Sequence, residues 1–237
     1  MARTPKNIVK SRDSERVQSF ITQALKQARE EYKTSGMPQV KISWDNRKTN
    51  CPSFSTLPKT CCPAICRGTC DHDCYAENMI SVYGYPTALS WARNFVAWIH
   101  NPDAVFAAID ATCKISKYFR YHVSGDIINA DYFRRMVKVA QDNPGTHFLA
   151  FTKAYDIVNA WIDENGDLPE NLQIIFSEGW GIKAPNPHNL PRSYVWEKGE
   201  EFDEEWKSCG GDCMNCACRG LGCWTLKKGE IVAFAKH

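Results

Sequence analysis

Ten of the chain's twelve cysteines fall in two short segments, Cys61, Cys62, Cys66, Cys70 and Cys74 in one and Cys209, Cys213, Cys216, Cys218 and Cys223 in the other. Thiolates at such spacings can converge on a metal ion or an iron–sulfur cluster, because a short loop or one helical turn brings their sulfurs together. In the first segment Cys62, Cys66, Cys70 and Cys74 recur at every fourth residue. Three thiolates in a loop would leave one iron of a 4Fe-4S cluster open to a substrate or to S-adenosylmethionine, whereas four would close it into a structural or electron-transferring centre. Zinc also accepts four thiolates, with His72 available as a substitute ligand, so the spacing admits either metal. The second segment carries a CxxxCxxC spacing in Cys209, Cys213 and Cys216, with Cys218 and Cys223 both available as the fourth ligand. Disulfides are the alternative, since an even cysteine count in a secreted chain suggests a bonded framework. The polar, basic stretch Met1 to Lys10 is followed by no apolar run, which argues against export and for a cytoplasmic setting.

Further polar groups cluster where strands should end. Tyr118 to Ser124, Thr146 to Thr152 and Leu172 to Ser177 read as strands, separated by helices at Asn129 to Asp142 and Ala154 to Glu164. Such alternation implies a mainly parallel sheet covered on both faces, and hence a full or partial β/α barrel. Ser124-Gly125-Asp126, Thr152-Lys153 and Ser177-Glu178 stand at the carboxyl ends, where barrel loops converge on one mouth. Asp126 could accept hydrogen bonds from a cationic amino group, Lys153 could hold a carboxylate or phosphate, and Glu178 could act as acid or base. Each also has a structural role open to it: Gly125 in a tight turn, Asp126 as a helix cap, Lys153 in an ion pair. His122, inside a strand and without a spaced partner, reads as a hydrogen-bonded core residue. Cys51 and Cys113 read as small core residues.

The elements that must position these groups follow from periodicity. Arg12 to Thr34 reads as an amphipathic helix, ended by Gly36 and Pro38, and Gln39 to Trp44 as a strand. Asn46 to Lys59 is loop-like. Helices are expected at Tyr75 to Tyr83 and Pro86 to Lys117, the latter broken at Asn101-Pro102. Short strands follow at Ser193 to Trp196 and Glu230 to Ala235, with an acidic, solvated run from Glu197 to Glu205 between them. The chain divides into an N-terminal helical extension over 1–38, a β/α partial barrel with the first cysteine segment over 39–206, and a C-terminal cysteine segment with a closing strand over 207–237.

A chain of 237 residues with 43% hydrophobic content can bury a core, and no stretch reaches the length of a membrane span. The formal charge of +2 gives no global footprint for a polyanion. Nucleic acid binding would need a local patch such as Arg134, Arg135 and Lys138 with nearby aromatic platforms, and is the least favoured reading.

The strings TCCPAICRGTCDHDCYA, RYHVSGD, FLAFTK and IIFSEGW, with a terminal cysteine group ending in GCW, together resemble the phage and plasmid family called gene product 88. The resemblance spans roughly residues 45–235 and implies a protein of a mobile element acting in a bacterial cytoplasm. That family is in turn distantly similar to radical S-adenosylmethionine enzymes, which have a partial β/α barrel and a 4Fe-4S cluster in the loop after the first strand. On that analogy Cys66, Cys70 and Cys74 would hold the cluster, and Ser124, Gly125 and Asp126 the methionine amino group. Lys153 and Glu178 would face the substrate. This loop reads C-x3-C-x3-C rather than CxxxCxxC. The latter spacing falls instead at Cys209, Cys213 and Cys216, which implies an auxiliary cluster there. The expectation is hydrogen abstraction from a nucleotide, peptide or small metabolite. Its rival is a non-catalytic metalloprotein whose two closed sites staple an incomplete barrel and bind a phage or host partner.

Overall fold

The structure is a computed structural model that describes residues 10–44, 50–70, 74–196 and 205–235. His72 and all but the last residue of the acidic run lie outside the described residues. In chain order the elements are α1 (Lys10–Ser35), β1 (Ile42–Ser43), β2 (Ser53–Phe54), α2 (Tyr75–Tyr83), α3 (Tyr85–His100), α4 (Pro102–Cys113), β3 (Tyr118–Tyr121), α5 (Ala130–Asp142), β4 (His147–Thr152), α6 (Tyr155–Asn165), β5 (Leu172–Glu178), β6 (Arg192–Trp196), β7 (Lys207–Ser208), α7 (Cys213–Cys218) and β8 (Ile231–Ala235). Short 3-10 turns span Ala64–Cys66 and Gly222–Thr225. No helix among the described residues is long and apolar enough to cross a membrane.

The strands form one sheet in the order β1-β2-β3-β4-β5-β6-β8-β7, antiparallel only at β1–β2. The sheet is mostly parallel, as expected, but it is open, with β1 and β7 at its edges, and does not close into a barrel. The strand–helix alternation lapses after β5. The connection to β6 carries Pro185, Pro187 and Pro191, which lack the N–H a helix needs, and no helix forms there. The stretch expected as loop, Asn46 to Lys59, contains β2, whose ladder with β3 pairs Ser53 with Arg120 and Phe54 with Tyr121. Conversely, the expected strand Gln39 to Trp44 shrinks to two residues, and β3 ends three residues early. His122 takes a left-handed φ of 57°, which breaks the extended run.

Alternation along the strands sorts side chains into two cores. Phe119, Tyr121, Phe148, Ala150, Ile174 and Phe176 enter one, with α4, α5 and α6. Leu149, Ile175 and Val232 enter the other, where Cys51, Ala217, Cys223, Trp224 and Leu226 cover them. The second cysteine segment packs directly on the sheet. It is the layer that covers the face opposite the helices, tied down by Tyr118 Oη donating to Ala217 O (3.3 Å) and Gln173 Nε2 donating to Leu226 O (3.0 Å).

A third apolar cluster seats α1 on α2 and α3, with Val17, Ile21, Ala24 and Ala28 against Ala88, Leu89, Trp91 and Ala92. Arg93 donates twice to Glu31 across this interface, at 2.7 Å each, and this pairing holds the Glu31 carboxyl down at about 2. Buried Asn94 on α3 receives Lys41 N–H (2.6 Å) and donates to Lys41 O (2.9 Å) and Ser55 O (2.8 Å). One side chain thus satisfies three backbone groups at the β1–β2 edge.

Candidate metal and strand-end site

The HVSGD string forms an interlock between β3 and the chain that leads into the first cysteines. His122 N–H donates to Phe54 O (2.8 Å), Val123 N–H to Ser55 Oγ (3.1 Å) and Ser124 Oγ to Thr56 O (2.8 Å), while Thr56 N–H donates to Ser124 O (3.0 Å). Gly125 has φ 80°, and a β-carbon there would stand 2.0 Å from Thr56 Oγ1, so the two chains meet closer than any side chain allows. His122 is a core residue, as read from the sequence. Its Nε2 lies 3.0 Å from Tyr132 Oη, and burial, aided by Arg120, lowers its pKa to about 3.

This interlock sets Cys62, Cys66 and Cys70 near Asp126 and Tyr155, at the carboxyl ends of β3 and β4. Cys66 stands between Cys62 and Cys70. Side-chain bonds to these two, with burial, push its thiol far above the ordinary range, whereas the bond to Cys66 lowers Cys62. Cys74 precedes α2, within electrostatic reach of Cys62, and burial raises it to about 11. Cys61 is buried beside Thr56, and burial raises it to about 12. Asp126 acts on Cys62, and Tyr155 feels Asp126, Cys66 and Cys70, so the thiols share one neighbourhood with the ends of β3 and β4.

The strand-end groups differ in how much capacity they retain. Asp126 is buried: its Oδ1 accepts from Ile127 N–H (2.7 Å) and Thr152 Oγ1 (2.5 Å), its Oδ2 from Lys153 N–H (2.8 Å), and burial raises its pKa. It staples β3 to β4. Buried Glu178 accepts from Ala184 N–H (2.9 Å) and faces Arg192 Nη1 (3.4 Å), which fixes the loop between β5 and β6. Among the described residues Lys153 Nζ donates to Ser177 Oγ alone (2.9 Å) and lies 5.4 Å from the Trp180 ring centre, so it keeps donors to offer. Tyr155 Oη donates to Ser177 O. Tyr155 and Trp180 were not picked out in the sequence. Both are aromatics just past strand ends, a signal shared with ordinary core residues.

The second group is held differently. Cys209, Cys213, Cys216 and Cys223 line a cavity of about 40 Å³ with Trp224 and Val232, whereas Cys218 is exposed and outside its wall. Gly211 N–H points at Cys209 Sγ (3.4 Å) and Arg120 Nη1 at Cys213 Sγ (3.9 Å). Gly222, with φ 70°, leaves no room for a β-carbon, which would fall 2.9 Å from Cys216 Cβ. Burial pushes Cys223 up to about 12 and raises Cys213 against the opposing pull of Arg120. Four cysteines lining one cavity, with N–H donors on two of them, have the donor chemistry that a thiolate-held metal would need.

None of the twelve cysteines forms a disulfide. Among the described residues no three or more His, Cys, Asp or Glu stand in metal-holding geometry, so a metal would have to draw either group inward. Cys51 and Cys113 sit in the two sheet cores, as expected of small apolar residues. Arg134 and Arg135 are paired with Asp131, Arg135 also with Asp103, and Lys138 with Asp142, so the three cations of the patch considered for nucleic acid are matched by three carboxylates.

A family model described as Gene product 88 matches residues 18–221, most of the chain. No curated protein and no solved structure gave a match.

Proposed function

We propose that this chain, which belongs to the gene product 88 family, is an iron–sulfur protein with two centres of different kinds. Cys66, Cys70 and Cys74 are the donors for an open cluster beside the strand ends, with Cys62 next to them, and Cys209, Cys213, Cys216 and Cys223 are the donors for a closed one on the other face of the sheet. The observation that carries this reading is the common neighbourhood of Cys62, Cys66 and Cys70 with Asp126 and Tyr155 at the carboxyl ends of β3 and β4. A redox centre is useful for catalysis where strand-end loops converge, and less so on a covered face. We read the parallel run β2 to β6, with helices on one face, as an unclosed piece of a β/α barrel.

A 4Fe-4S cluster in the first group would supply one-electron chemistry, with S-adenosylmethionine as the co-substrate that the family resemblance suggests. The chain's own residues divide the remaining work. Asp126 fixes the strand ends, Lys153 offers its unfilled ammonium donors to a substrate anion, and Glu178 anchors the loop carrying Trp180. With all three of its short hydrogen bonds made to protein, Asp126 is a positioning residue more than an amine ligand. The saturation of Asp126 and Glu178 favours one second reading, a non-catalytic scaffold stapled by two metals, for which zinc serves as well as iron.

Anaerobically prepared, reduced protein incubated with S-adenosylmethionine separates the two. Formation of deoxyadenosine, abolished by C66S, supports the open cluster. Iron-loaded protein that leaves S-adenosylmethionine intact supports the scaffold.

A further inference from the structure

Arg120 is a charged residue set where a strand should present apolar side chains to a covered face. Its neighbours Phe119 and Tyr121 both enter the helix-side core, so its own side chain projects to the other side. There the guanidinium carbon lies 5.2 Å from the centre of the Phe151 ring, and Nη1 approaches Cys213 Sγ at 3.9 Å. Among the described residues its buried Nε–H has no acceptor, and no carboxylate pairs with the side chain. Burying a cation is unfavourable unless an anion is close. The partner on offer is sulfur, with Cys213 Sγ 3.9 Å from Nη1.

We propose that Arg120 is the counter-cation of the centre formed by Cys209, Cys213, Cys216 and Cys223, setting a donor against Cys213 Sγ and favouring a loaded centre with excess negative charge. Four thiolates around a divalent ion, or around a 4Fe-4S core, give a centre of that sign. The orphaned Nε–H would be a second donor available to the cysteine sulfurs of a loaded centre. Arg120 is thus a positioning residue acting through sulfur, and it explains why a parallel strand carries a cation at that register. The proposal rests on the reading of this pocket as a metal centre.

The test uses the full chain carrying C62S and C66S, so that zinc reports the second centre alone, with affinity read by competition against a chromogenic chelator. Loss of a partner outside the ligand set typically weakens metal binding about 10- to 100-fold, and R120Q is expected in that range. R120K, which keeps the charge but not the planar fork, is expected between R120Q and the parent. Equal affinity in R120Q and parent, or R120K as weak as R120Q, overturns the proposal. Should R120Q lose helical signal, the parent decides: zinc is expected to slow hydrogen exchange at the Arg120 side chain, and unchanged exchange refutes it. A parent that binds no zinc overturns the metal reading as well, and is told apart from failure of Arg120 alone by that result.

Discussion

Replacing Gly125 by alanine tests the interlock that seats the first cysteine group. The new methyl would stand 2.0 Å from Thr56 Oγ1, 3.2 Å from its Cβ and 3.3 Å from its carbonyl oxygen. Holding a non-glycine residue at φ 80° adds about 1–2 kcal/mol. Displacing Thr56 adds the penalty of an overpacked core, about 1–3 kcal/mol. The sum, about 2–5 kcal/mol, would lower Tm by roughly 4–20 °C at two to four degrees per kcal/mol for a domain of this size. Urea and thermal unfolding of G125A, T56A and the double variant measure it. T56A removes the atom at 2.0 Å while keeping the backbone bonds to Ser124, so the double variant should recover part of the loss that G125A causes. A G125A protein within about 0.5 kcal/mol of the parent, or one that T56A does not relieve, would refute the claim that close approach at Thr56 orders this loop.

Asn94→Ala should destabilise by about 2–4 kcal/mol in urea titration, because Lys41 N–H, Lys41 O and Ser55 O lose one shared partner. Gly222→Ala should reduce zinc or iron content by one centre with the first group still loaded, measured by elemental analysis in C66S and parent backgrounds. Glu31, held at about 2 against an ordinary 4.5, contributes stability that is complete above pH 4.5 and lost as pH falls toward 2. Urea midpoints of parent and E31Q should therefore converge on acidification across that window, and a constant gap contradicts the pairing with Arg93.

Much of the frame was legible because periodicity and capping agree. The helix at Asn129 to Asp142 starts where Asn129 Oδ1 accepts from Tyr132 N–H, and α4 where Asn101 Oδ1 accepts from Ala104 N–H. Two-residue strands have no period to read: β2 exists through its ladder with β3, and β7 through β8. The open sheet was illegible for a related reason, since what covers its second face is a cysteine-rich segment without apolar rhythm. Within the sites, spacing found the thiols but not their company. Cys213 and Cys216, three apart on α7, share a helix face, while Cys218 falls on another, a distinction that needed the helix to be known. Arg120 carried a signal in the alternation of YFRYHVS, where a cation occupies an inward position.

The most direct measurement is elemental: iron, zinc and acid-labile sulfide per chain in oxygen-protected protein, for the parent, C66S and C216S. The account predicts metal in the parent and a partial loss in each variant, with C66S and C216S removing separate fractions. Metal-free parent protein, or a single variant that empties both fractions in a folded chain, would contradict two independent thiolate centres.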